Sequence, residues 1–92
     1  MSAWPDSKDP NEKFDLQFDW SKRLEPGETI VTSVFLQPDG DLTISQETID
    51  GAFTTFWVEG GEAGTPVEIT NRITTSEGRT WDKTATLRVR DR

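Results

Sequence analysis

The sequence predicts an all-β domain, an antiparallel sandwich of six to seven short strands preceded by an extended N-terminal arm. Three observations carry that expectation. In the clearest segments apolar residues recur at every second position, the period of a strand with one buried face. Gly, Pro and Asp cluster between these segments as turn signals at short intervals. No segment shows the 3.6-residue period of an amphipathic helix.

Residues 1–13 hold two prolines, several charges and one apolar anchor, Trp4. They have no periodicity and read as an extended arm, with the sandwich occupying residues 14–92. Phe14, Leu16, Phe18 and Trp20 then alternate with polar residues along the first strand. Pro26-Gly27 turns the chain into a second strand over residues 29–37, rich in β-branched residues. Pro38-Asp39-Gly40-Asp41 is the next turn. Leu42-Thr43-Ile44 opens a short third strand, and the pattern leaves Glu47-Thr48-Ile49 unassigned. Asp50-Gly51 fits a tight turn. Phe53 to Val58 is the fourth strand, closed by Gly60, Gly61 and Gly64. Val67 to Thr74 is the fifth, Ser76-Glu77-Gly78-Arg79 a hairpin loop, and Trp81 to Val89 the sixth. By size and strand count an immunoglobulin-like layout leads, with a small barrel as the alternative.

Composition bounds the chemistry. Ninety-two residues make one small domain, and five Phe and four Trp must supply much of its core. With no cysteine and no histidine, disulfides, thiolate metal sites and a Ser-His-Asp arrangement are all excluded. The net charge of −7 opposes binding to a nucleic-acid backbone. No signal peptide or membrane span is visible, so synthesis in the cytosol is expected. Charge is uneven: residues 29–62 carry six acids and no base, whereas residues 63–92 carry four acids and six bases. That polarity could orient neighbouring copies head to tail, or serve only as a solvated surface.

Each candidate site has a plainer reading beside it. Asp15 and Asp19 share one strand face about 13–14 Å apart at strand rise, too far for paired-carboxylate hydrolysis. Asp39-Gly40-Asp41 lacks the spaced further ligands of a calcium loop. Gly60-Gly61-Glu62-Ala63-Gly64 lacks the lysine of a phosphate loop and permits positive φ in a strand connection instead. Neither metal nor cofactor is expected. Trp20 and Trp81 fall in phase with buried faces, Trp57 fits core or surface, and Trp4 is a docking anchor or packs back on its own domain. Arg88 and Arg90 on the last strand fit an acidic neighbour or a charged edge that blocks sheet addition.

Several segments carry a resemblance to a known family. Lys8-Asp9-Pro10-Asn11-Glu12, then Phe18-Asp19-Trp20-Ser21 and Leu24, then Gly27-Glu28-Thr29-Ile30, stand in the order found in small tailed-phage structural proteins. Trp57-Val58-Glu59-Gly60-Gly61 with Gly64, and Thr70-Asn71-Arg72-Ile73-Thr74-Thr75 with Gly78-Arg79, continue it. The chain thus resembles, from Lys8 to Asp91, the fiber-tail adaptor proteins of the neck and tail region. Asn11 stands where the family has aspartate, and Val58-Glu59 where it has leucine-serine. The resemblance implies an immunoglobulin-like virion protein, made in the host bacterial cytoplasm, that joins neck, tail or fiber components. It also suggests that Asp50-Gly51 is only a kink.

The expectation is therefore a non-catalytic adaptor, repeated in a homo-oligomeric ring, with Trp4, Pro5, Lys8, Asp9, Pro10, Arg88 and Arg90 as its contact residues. Its partners are other virion proteins, with no nucleic acid and no membrane. A capsid decoration protein and a free carbohydrate-binding module are the alternatives.

Overall fold

The computed structural model describes residues 7–36 and 41–90. Within them the chain forms six strands and no helix: β1 Lys13–Asp19, β2 Ile30–Phe35, β3 Leu42–Asp50, β4 Phe53–Gly60, β5 Pro66–Thr75 and β6 Thr80–Arg88. They make two antiparallel three-stranded sheets, ordered β1-β4-β3 and β2-β5-β6. The sheets face each other as a sandwich, with β4 and β5 as the central strands.

Alternation decides which side chains enter. Leu16 and Phe18 on β1, Phe56 and Val58 on β4, Val67, Ile69 and Ile73 on β5, and Leu87 on β6 are all buried in one core. Aromatic rings join the two layers: Phe56 stacks on Phe18 at 5.7 Å and meets Phe35 of the opposite sheet at 4.5 Å. Phe56, bulky beside Trp57, is thus the centre of the core. Trp57 falls in the opposite phase. It is half-buried on the outer face of its sheet, level with Asp15 on one side and Ser45 on the other.

The third strand is longer than its short apolar run suggests. Gln46 and Glu47 together oppose Phe56, since Ser45 pairs with Trp57 and Thr48 with Thr55. This bulge, with Gln46 at φ 53°, breaks the period of two and hides the strand's second half. Asp50 pairs with Phe53 across Gly51-Ala52, so Asp50-Gly51 lies in a tight hairpin turn and is not a mere kink. Gly51 has φ 61°, as such turns require. The Pro38-Asp39-Gly40 turn lies outside the described residues.

Three polar residues occupy inward positions and satisfy one another. The Trp20 indole N–H donates to Thr54 Oγ1 and Asn71 Oδ1, both at 3.1 Å. The Thr54 hydroxyl donates to Asn71 Oδ1 at 2.6 Å, and Asn71 Nδ2 donates to Ser33 Oγ and the Val34 carbonyl. Trp20, Thr54 and Asn71 are buried. Thr54 belongs to one sheet and Asn71 to the other, so the network bolts the layers together.

Removing one member leaves buried donors without acceptors, which costs roughly 1–3 kcal/mol per group. Asn71→Leu is therefore expected to lower stability by about 2–3 kcal/mol. Urea unfolding should show this as a lower midpoint with an unchanged slope.

Candidate interaction surface

At the end of the sandwich where β1 begins, the N-terminal segment is stitched to β6. Lys8 makes a parallel bridge with Val89: its amide donates to the Arg88 carbonyl at 2.8 Å, and the Arg90 amide donates to the Lys8 carbonyl at 2.8 Å. The Lys8 side chain is buried, its ammonium donating to the carbonyls of Gly60 at 2.5 Å and Asp9 at 2.9 Å. Burial pushes its pKa down, against the opposing pull of Glu12, Asp9 and Glu59.

The residues that follow form a closed turn. The Asp9 amide donates to Glu12 Oε1, the Glu12 amide donates back to the Asp9 carbonyl, and Asp9 Oδ1 accepts from the Asn11 amide. Asn11 contributes its backbone to this turn, so an aspartate at that position would be equally served. Gly61 completes the end: at φ 103° its Cα lies so near Val89 that a Cβ would stand 3.0 Å from a Val89 methyl. Beside it, Gly64, Thr65, Pro66, Arg88, Val89 and Arg90 line a shallow cleft of about 280 Å³.

The seven expected contact residues therefore separate. Trp4 and Pro5 lie outside the described residues. Lys8 is inside the fold, its charge engaged by the chain's own carbonyls, because only a long donor at this position reaches the Gly60 carbonyl. Asp9 and Pro10 are partly exposed within the turn, and Arg88 at the end of β6 and Arg90 just beyond it are exposed. Backbone pairing thus brings Lys8, Arg88 and Arg90 together, with the two arginines facing outward.

The other end is closed by a buried acid. Glu28 Oε1 accepts from the Glu25 amide at 2.8 Å, and Oε2 accepts from the Thr75 hydroxyl at 2.5 Å and Arg79 at 3.0 Å. These bonds, the Glu25 amide foremost, hold its pKa below the ordinary value of 4.5. Nearby, Asp19, Lys22, Arg23 and Lys83 line a cleft of about 420 Å³. Lys83 donates to the Asp19 carbonyl and sits 5.6 Å from the Trp20 ring centroid, while Arg23 lies over Trp81 at 5.0 Å. Bonds from Ser21 hold the Asp19 pKa down, with lesser help from Lys83 and Lys22.

Sequence reasoning did not single out the structural roles of Glu28, Thr54, Asn71, Thr75 or Lys83. A signal was there for four of them: each is a polar residue in phase with apolar neighbours. Asn71 stands between Ile69 and Ile73, Thr75 follows Ile73, Thr54 precedes Phe56, and Lys83 lies between Trp81 and Ala85. Glu28, in a turn, gave none.

The fold defines a class: a small β-sandwich whose buried polar residues hold its own ends and layers together. Residues 8–88 match the family described as podophage GP4 fiber-tail adaptor protein gp77, and the chain belongs to that family of phage structural adaptors. No curated protein matches the chain.

Two outcomes test the ends. A depressed carboxylate pKa means that the unfolded state binds more protons below 4.5, so Glu28's contribution is present above that pH and is lost as pH falls through its folded value. Glu28→Gln should lower stability at pH 7 and flatten the acid-side loss, read from urea midpoints between pH 3 and 7. Asp19 and Asp82, also held low, should leave a residual slope. Gly61→Ala should lower the thermal midpoint, since left-handed strain of about 1–2 kcal/mol adds to the Val89 contact.

Proposed function

We infer that the protein is a non-catalytic virion adaptor that joins tail and fiber components through protein–protein contacts. Membership of the adaptor family is the observation that carries this reading. The physical picture supports it. Lys8, Glu28 and Asn71, the buried polar side chains most suggestive of a site, are committed to the chain's own backbone and side chains.

The layout is immunoglobulin-like in this reading. Labelled B to G, the six strands fall into sheets B-E-D and C-F-G, which is the constant-type arrangement without its first strand. The parallel bridge from Lys8 to Val89 puts the N-terminal segment where a short extra strand would lie. Arg88 and Arg90 offer guanidinium groups to an acidic neighbour. The residues ahead of Ser7 carry Trp4 and Pro5 to a partner. Copies are arranged in a homo-oligomeric ring, so that many weak contacts add through multivalency. The protein is made in the host bacterial cytoplasm and resides in the virion.

Particles carrying a tagged copy locate it: electron microscopy should place the label at the junction of tail and fibers. Label over the capsid exterior would instead favour a decoration protein. A chain lacking residues 1–6 retains Lys8 and its bonds, so it should keep its thermal midpoint while its recovery in purified particles falls at least several-fold. Recovery at the wild-type level would remove the arm from the mechanism.

A further inference from the structure

Two open sheets have four edge strands, which among the described residues are β1, β3, β2 and β6. An edge presents a row of backbone amides and carbonyls that another strand can pair with, and proteins obstruct such edges with charge, bulges or proline. Three of these edges are obstructed. β1 carries Lys13, Asp15 and Asp19. β3 carries Glu47 and Asp50 and is bent in mid-strand by the bulge at Gln46. β6 carries Asp82, Arg88 and an inward-phase lysine, Lys83.

β2 is different. Residues 29–37 contain no charged residue and no proline. Its register shift lies between Ile30 and Thr32, so the pairing with β5 is regular from Thr32 onward and continues through the Leu36 amide to the Thr70 carbonyl at 3.0 Å. Successive residues of a strand turn their amides to opposite sides, so those of Ser33 and Phe35 face the open edge. Three of the four exposed large apolar residues among those described are on or beside this strand: Val31 at 58%, Val34 at 50% and Leu36 at 41%. Val34 and Leu36 share the outer face of the sheet. A regular, uncharged edge flanked by exposed apolar side chains is complementary to an extended backbone and to little else.

The surroundings specify that strand's charge. β3 packs next to β2 and brings Glu47 and Asp50, with Asp41 just ahead of it, and no base lies anywhere in residues 29–62. The nearest arginine on the same sheet face, Arg72 opposite Val34, is held by Asp82 through two bonds of 2.8 and 2.9 Å. A second copy would bring the same acids to this rim. We propose that β2 is a strand-addition site for a segment of another virion protein, extended, apolar at alternate positions and flanked by Lys or Arg.

This inference rests on the adaptor reading, and the test separates the two. Phage lacking the gene are complemented with tagged wild-type chain, Val34→Lys, Leu36→Lys or, as a control on the β6 edge, Thr86→Lys. Each protein is first checked for a wild-type thermal midpoint. Wild-type and Thr86→Lys chains should enter particles equally, and Val34→Lys and Leu36→Lys should be depleted at least tenfold. Failure of the wild-type chain to enter refutes the adaptor reading. Its entry together with normal entry of both β2 variants refutes the strand-addition site alone. A benzophenone side chain placed at Val31 should cross-link, within particles, to a different protein through a peptide of alternating apolar residues with basic flanks. An acidic peptide, a non-alternating one, or β2 of a second copy overturns the proposal.

Discussion

The hydrogen bonds among Trp20, Thr54 and Asn71 are the constraint on which the two-layer arrangement depends. Each sheet has three strands among the described residues, and neither could bury its apolar face alone. Hydrophobic contact between the layers favours burial but specifies their relative position weakly, because apolar side chains tolerate sliding. The network does not. Its donors and acceptors are removed from water, and a shift of either sheet by one residue would leave them unsatisfied in a low-dielectric interior. The aromatic contacts of Phe56 with Phe18 and Phe35 then fill the space that this alignment sets.

The two ends of the sandwich are closed by the same device with opposite charge. At one end a buried ammonium, Lys8, reaches the Gly60 carbonyl at the end of β4 and the Asp9 carbonyl of its own turn. At the other, a buried carboxylate, Glu28, collects an amide, a hydroxyl and a guanidinium. Backbone groups left over where strands stop are otherwise the weak points of an open sandwich, and a long charged side chain can serve several of them at once.

These polar anchors coincide with the segments that make the sequence resemble its family. Lys8 to Glu12 is the stitched end, Trp20 and Asn71 are the network, and Glu28, Thr75 and Arg79 form the opposite clamp. The recognisable motifs therefore report how the domain is held together. Among them Lys8, expected as a contact residue, is buried with its ammonium on the chain's own carbonyls.

Period-two alternation alone determined that this chain is built of strands, and it located β1, β4, β5 and β6 within a residue or two. Those strands have one dry face and one wet face, so burial writes itself into every second residue. Glycine and proline marked the turns for a similarly local reason, since backbone torsions at a turn restrict which residues fit. The second half of β3 escaped because a bulge shifts the phase of the pattern. Pairing order, the half-buried place of Trp57, the burial of Lys8 and the partners of Glu28 were decided by the tertiary structure. Each depends at least in part on residues far apart in the chain meeting in space, as Lys8 with Gly60 and Glu28 with Arg79 do, and a charged side chain gives no local sign of whether distant carbonyls or amides will be there to receive it.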